Sequence, residues 1–239
     1  MPKIYIFDVD GTLTPSRQRM TEEFAKFFDE WTNKNKYYLV TGSDINKTKE
    51  QVPIAYIDRA QGIFTCCGNQ FYIEDKLIYE NKFNIPDDLL KYLEDTLDNS
   101  DYPVKAGNHI EDRDSLLNFS MVGRRCSLQE RKNYFEYDKL TGERQEIAKY
   151  IRNTWEDLDA VIGGQISIDI YPKGNDKSQV LEHIEKQHRI GEIIFIGDRI
   201  EGGGNDYPLA ELMNTMKNCN SHQTKGPEET KQILEKLID

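Results

Sequence analysis

Residues 4–14, Ile-Tyr-Ile-Phe-Asp-Val-Asp-Gly-Thr-Leu-Thr, constrain this chain more than any other stretch. An unbroken apolar run that ends in carboxylates and a glycine reads as a strand buried on both faces, the kind that helices cover in a parallel sheet. In open α/β sheets ligands gather where the carboxyl ends of strands meet their loops, so Asp8 and Asp10 are delivered to a site. Two carboxylates so close repel each other unless a cation or a shared proton relieves them. The pair therefore predicts a magnesium site with one member free to exchange a proton. A plain Asp-Gly turn after a strand would account for Asp10 and Gly11, but not for the whole string.

The pattern that follows alternates strand and helix: a strand at 3–7, a helix at about 22–34, a strand at 37–40, a short helix from Asp44, and a further strand at 55–58. Short pieces at 62–66, 70–73 and 76–79 read as an antiparallel excursion at a sheet edge. A helix opens at Ile85-Pro86-Asp87 and runs to about Leu97. Between about 81 and 171 the grammar changes to arginine-bearing strands, one long polar helix over 127–155, and strands at 160–162 and 165–171. After Pro172 the opening grammar returns, with a helix over 176–188 and a strand at 192–196 ending in Gly197-Asp198. The expected molecule is α/β: a Rossmannoid core with a parallel sheet built from 1–81 and 172–239, plus an inserted α/β cap domain at 82–171.

Composition sets the limits on partners. With 37% hydrophobic and 31% charged residues the chain belongs with soluble globular proteins. No apolar run approaches the roughly 20 residues of a membrane span, and no signal-peptide pattern opens the chain, so a cytoplasmic protein without a membrane partner is expected. A net charge of −11 argues against nucleic acid as a partner. It leaves room for a small phosphorylated substrate, which needs only a local arginine cluster. Cys66, Cys67, Cys126 and Cys219 lack metal-ligand spacing and read as reduced thiols. His109, His183, His188 and His222 are scattered, with no metal spacing or serine partner. Leu181, Ile184 and Ile190 suggest a packed helical face, and Tyr134, Phe135 and Tyr137 suggest the cap's core or a dimer contact.

Three loops after three core strands carry distinct polar groups. Asp8 and Asp10 follow the first. Thr41, Gly42 and Ser43 follow the second and supply hydroxyls and backbone donors suited to phosphoryl oxygens, although an ordinary helix N-cap would use the same residues. Asp198 follows the third, with Gly202-Gly203-Gly204-Asn205-Asp206 behind it. Lys177 could lie against Asp8 and offset its charge. Together these groups compose a phosphoryl-transfer site: Asp8 as nucleophile, Asp10 as general acid and then base, and a cation and lysine neutralising charge.

Through Asp8-Val-Asp-Gly-Thr, Ser43, Lys177 and Gly197-Asp198 the chain resembles the haloacid-dehalogenase superfamily of aspartate-dependent phosphotransferases. Through 7–17, 42–47, 163–169, 172–177 and 203–206 it resembles, more narrowly, the eukaryotic-type phosphomannomutases, over nearly its whole length. The resemblance implies that mannose 6-phosphate and mannose 1-phosphate are interconverted through an aspartyl-phosphate and hexose 1,6-bisphosphate. It implies Mg2+ held by Asp8, Asp10, Asp198 and Asp206. It further implies that Arg113, Arg124 and Arg131, aided by Arg17, hold the phosphate that is not transferred, that Ser167 and Asp169 bind sugar hydroxyls, and that a homodimer forms through the cap. Three arginines on neighbouring elements independently suit bidentate phosphate capture. A mutase must hold a hexose by one phosphate while the other end reacts, so a remote anion clamp favours it over a sugar-phosphate phosphatase using the same aspartates. A non-catalytic sugar-phosphate-binding protein is a third reading, opposed by the intact set Asp8, Asp10, Lys177 and Asp198. The chain departs from the family pattern at Met121 for proline, Asn175 for tryptophan, Thr41 for glycine and Pro208 for an acidic residue. The last leaves the grouping for a second, peripheral cation incomplete.

Overall fold

The computed structural model describes residues 3–187 and 191–237. The chain opens with β1 (Lys3–Phe7), α1 (Glu22–Thr32), β2 (Lys36–Val40), α2 (Ile45–Gln51), α3 (Ile54–Arg59), β3 (Gly62–Thr65), β4 (Gln70–Ile73) and β5 (Lys76–Glu80). It continues with α4 (Asp87–Asn99), β6 (Ile110–Asp112), β7 (Leu117–Ser120), α5 (Leu128–Thr141), α6 (Glu143–Thr154), β8 (Leu158–Gly163) and β9 (Ser167–Pro172). The last elements are α7 (Gln179–Gln187), β10 (Glu192–Gly197), α8 (Tyr207–Asn214), β11 (Cys219–Gln223) and α9 (Pro227–Lys236). Two compact units result, Met1–Glu80 with Asn175–Asp239, and Asn81–Gly174.

The first unit is a 7-stranded sheet in the order β11-β10-β1-β2-β3-β4-β5, with β1 at the centre of the parallel part and an antiparallel edge at β4 and β5. Its central strands β1, β2 and β10 are apolar on both faces because helices cover both. Tyr5, Phe7, Tyr37 and Leu39 pack with Phe24, Phe28 and Trp31 of α1 on one side. Ile4, Ile6, Tyr38 and Val40 pack with Val180, Leu181 and Ile184 of α7 on the other. Helix α1 forms where it does because Thr21 caps it, accepting from Phe24 N at 3.3 Å, and because its aromatics recur at helical spacing. Burying each of those aromatics contributes about 2–3 kcal/mol. Register then sets the site. Phe7 is level with Ile196 on one side and Leu39 on the other, so the segments after β1, β10 and β2 leave the sheet side by side.

The second unit is a 4-stranded antiparallel sheet, β6-β7-β9-β8. Alternation gives it one apolar face, where Leu117, Phe119, Ile168 and Ile170 join Leu89, Leu93, Tyr134 and Ile151 of the helices. The opposite face carries Glu111, Asn118, Ser120, Ser167 and Asp169, with Asn118 paired to Asp169 and Ser120 to Ser167 across the β7–β9 ladder.

Three expectations are corrected. Residues 55–58 form part of α3 and not a strand: Pro53 caps the helix, and adjacent Tyr56 and Ile57 both bury against the α1 side of the sheet. The helix expected over 127–155 is two helices, because Gly142 adopts a left-handed φ of 70°, ending α5 and starting α6. Helix α7 is shorter at its start than 176–188, beginning at Gln179 after a turn. The expectations for His188 and Ile190 fall outside the described residues. Leu181 and Ile184 are buried, as is Tyr134, whose ring meets Tyr102 edge-on. All four cysteines are free. Among the described residues no helix is long and apolar enough to cross a membrane.

Candidate active site

The site in the first unit is organised around a fully buried cation. Lys177 is 0% exposed, and its Nζ donates to Asp8 Oδ1 and to Asp206 Oδ1, each at 2.6 Å. Burial alone would pull the lysine's pKa down, but the Asp206 and Asp8 carboxylates outweigh it and hold the ammonium charged. Asp206 is anchored at its second oxygen by Arg199 N at 3.0 Å. Asp8 follows β1, its own N–H donating to Ile196 O at 3.0 Å, and its Oδ2 accepts from Thr12 Oγ1 at 3.3 Å.

Asp8, Asp198 and Asp206 bring one carboxylate oxygen apiece within 4.8 Å of one another. Confinement has an electrostatic consequence. Burial, and then the neighbouring carboxylates, raise Asp8 well above the usual carboxylate range despite Lys177. Burial first and Asp206 second push Asp198 up to about 7. Three oxygen donors crowded beside a single ammonium suit a hard divalent cation, which would relieve that repulsion. Gly11 permits the crowding: its φ is 81°, and a Cβ there would stand 2.5 Å from Asp198 Oδ2.

Asp10 is not one of this trio. Its Oδ1 accepts from Arg17 N at 2.7 Å and from Gln51 Nε2 at 2.9 Å, and its Oδ2 lies 3.4 Å from Ser43 Oγ. Those donors turn its carboxylate toward the β2 loop. Arg17 reaches Asp10 through its main chain, in a left-handed conformation of φ 61°. Of the loop after β2, Ser43 is beside Asp10, whereas Thr41 Oγ1 accepts from Ser43 N at 3.0 Å and so braces the loop internally. Ser43 O and Thr41 O in turn accept from the main chains of Cys66 and Cys67.

In the second unit Arg113, Arg124 and Arg131 are all nearly buried. Arg113 pairs with Glu111, and Arg124 approaches the same carboxylate at 3.6 Å while donating from Nη1 to Ser167 Oγ at 3.0 Å. Asp169 accepts from Asn118 Nδ2. Gly163 is needed beside it, since a Cβ would collide with the Asp169 carboxylate. The turn that presents Ser167 is clamped by Arg144, whose Nη1 donates to Gly164 O at 3.1 Å and to Ser167 O at 3.2 Å while the guanidinium pairs with buried Asp138 at 2.8 Å. Glu111, Asn118, Asp138, Arg144 and Gln51 were not singled out as site residues. Thr12 lay within the Asp-Val-Asp-Gly-Thr motif; Asn118 and Gln51 carry no local signal because their partners Asp169 and Asp10 are distant in sequence.

A Rossmann-like sheet with this acidic cluster and buried lysine at the carboxyl ends of its central strands defines the haloacid-dehalogenase class of enzyme. A solved haloacid dehalogenase-like hydrolase from Bacteroides thetaiotaomicron shares the fold, at 14% identity and a TM-score of 0.60 over 100% of both chains. An IMP-nucleotidase of Plasmodium falciparum shares it at 17% identity and a TM-score of 0.62, and this chain spans 66% of that protein. The profile described as Eukaryotic phosphomannomutase matches residues 24–239. Phosphomannomutases of Encephalitozoon cuniculi and Galdieria sulphuraria are 38% and 33% identical, over 86% and 100% of this chain and 83% and 97% of theirs. The chain belongs to the eukaryotic phosphomannomutase family.

Proposed function

We propose that this protein is a phosphomannomutase that interconverts mannose 6-phosphate and mannose 1-phosphate through an aspartyl-phosphate on Asp8. The observation that carries the reading is the buried Asp8–Lys177–Asp206 chain beside a separately held Asp10. Asp8 has one oxygen against Lys177 and the other near Thr12, so its attack on phosphorus begins from a fixed orientation. As the P–O bond to the sugar breaks, Asp10 gives its proton to the departing sugar oxygen. The phosphorylated Asp8 then meets a hexose monophosphate, and Asp10 removes the proton from its free hydroxyl, which takes the phosphoryl group from Asp8 and gives the 1,6-bisphosphate. Once the bisphosphate has turned around, Asp8 attacks its other phosphate and Asp10 returns the proton to the departing oxygen. Ser43 and the main-chain N–H of Gly42 bind phosphoryl oxygens, and Lys177 balances the charge gathered on Asp8. Asp8, Asp198 and Asp206 would hold Mg2+, which supplies neutralisation of phosphoryl charge when bound. Asp10 serves as acid and base, not as a carboxylate ligand.

In the inserted unit, Arg113, Arg124 and Arg131, with Arg17 of the core, bind the phosphate that is not transferred, and Ser167 and Asp169 bind sugar hydroxyls. Two guanidiniums sharing the single carboxylate of Glu111 leave net positive charge for that phosphate. The functional division into a core of 1–81 and 172–239 and a cap of 82–171, a homodimer through the cap, and a cytoplasmic location consistent with four free cysteines belong to the same proposal. The decisive experiment incubates the protein with mannose 1-phosphate, Mg2+ and catalytic hexose 1,6-bisphosphate. Isomerised product without stoichiometric phosphate release is expected, together with loss of activity in Asp8→Ala. Net phosphate release without isomerisation would overturn the proposal.

A further inference from the structure

We propose that Gln51 is a positioning residue for Asp10, fixing which of its carboxylate oxygens meets the sugar oxygen; the proposal rests on the reading of Asp10 as general acid and base. Gln51 ends α2 and is 3% exposed. Its Nε2 donates to Asp10 Oδ1 at 2.9 Å, with longer approaches to Thr14 Oγ1 at 3.4 Å and Gln18 O at 3.5 Å. Its main-chain carbonyl accepts from Met20 N at 2.9 Å. One residue thus ties the loop between β1 and α1 at several points, and the shortest side-chain tie is to Asp10.

The two oxygens of Asp10 are unequal as a result. Oδ1 receives two N–H donors, from Gln51 and from Arg17 N, whereas Oδ2 has the single longer contact with Ser43 Oγ. Oδ2 is the oxygen left available for proton exchange. Rotating the protonated carboxyl by half a turn would set its O–H against both N–H donors, so Gln51 helps keep the proton on the oxygen beside Ser43. A second observation separates this role from packing. Gln51 Oε1 is buried without a hydrogen-bond partner. An unmatched buried acceptor is destabilising, and a methionine of similar shape would fill the space without it. The amide is retained at a cost to stability, and its Nε2 donor is what it offers in return.

The test exploits the leaving group. Phosphorylation of Asp8 by hexose 1,6-bisphosphate breaks a P–O bond to a sugar oxygen that must gain a proton, whereas acetyl phosphate releases acetate, which needs none. Aspartyl-phosphate formation is therefore measured from each donor by quenched single turnover, in the full chain saturated with Mg2+. Gln51→Met is expected to slow transfer from the bisphosphate by roughly 30- to 100-fold, with KM little changed, and transfer from acetyl phosphate by less than about 3-fold. Gln51→Asn, with its amide drawn back by one methylene, should show the same selectivity and serves if the methionine variant does not fold. Equal losses on both donors, or no loss on either, would reduce Gln51 to a structural residue. Asp10→Asn is the control: a selective loss of about 10³ is expected. Should that variant slow both donors alike, the acid–base reading of Asp10 itself fails, an outcome distinct from failure of the Gln51 variants alone.

Discussion

Proton and cation should compete openly for the trio of Asp8, Asp198 and Asp206. Without metal Asp198 is pushed up to about 7, whereas the same carboxyl in an unfolded chain titrates near its ordinary value of 3.8. A carboxyl whose folded pKa is raised contributes stability that is fully present below the unfolded pKa and lost as pH rises through the folded one. Metal-free protein should therefore lose stability between about pH 4 and pH 7, by up to about 4 kcal/mol for a shift of this size. Magnesium bound to the ionised trio should restore it above pH 7. For one displaced proton with a pKa near 7, the apparent magnesium affinity falls by about 30-fold between about pH 8 and pH 5.5, equivalent to about 2 kcal/mol. Asp8, also raised, steepens the dependence further. Isothermal titration at both pH values, in two buffers of different ionisation enthalpy, reads the affinity and the released proton directly. Thermal melts of wild type and Asp198→Asn without metal complete the measurement, since the variant should lose the share of the pH dependence that Asp198 contributes. Magnesium affinity that is flat across this range, with no proton released, would refute the reasoning.

Lys177→Met should destabilise the fold by about 3–5 kcal/mol in urea denaturation, because it leaves Asp8 and Asp206 buried without their shared cation. The same variant should abolish turnover. Arg144→Leu should cost a similar 3–5 kcal/mol by leaving Asp138 unpaired, and pairing it with Asp138→Leu should recover much of that loss in a double-mutant cycle. Gly163→Ala should displace the Asp169 carboxylate and raise KM for hexose phosphate, while transfer from acetyl phosphate to Asp8 keeps its rate. Arg124→Lys keeps the charge but loses the planar fork between Glu111 and Ser167, and should raise KM by about 10-fold in steady-state assays.

The parts of this molecule that were legible in sequence are those whose signal is local. Residues 4–14 announce both β1 and its acidic turn, because a strand covered on both faces is apolar throughout and the change to Asp8 marks where the strand ends. Ser43, Lys177 and Asp198 follow from family likeness on the same grounds. Gly142 was hidden within a stretch whose other residues all tolerate helix, so one positive φ went unread. Residues 55–58 are too few for their periodicity to separate strand from helix, and Pro53 decided the matter. The polar sequence of β11, Cys-Asn-Ser-His-Gln, gives an edge strand little apolar signature. Asp10 neighbours Asp8 along the chain, which says nothing of where its carboxylate turns. Its actual partners, Gln51 and Ser43, come from other elements, and no reading of 4–14 alone could reveal them.

The position of β1 between β2 and β10 has a bearing on biosynthesis. A ribosome releases Lys3–Phe7 and Lys36–Val40 early, yet the strand that completes the other side of β1 arrives only with Glu192–Gly197. The continuous segment Asn81–Gly174 has its own sheet and apolar core, and can fold during that wait. Nascent chains stalled before β10 would thus carry a folded arginine-bearing unit while β1 still lacks its neighbour on one side.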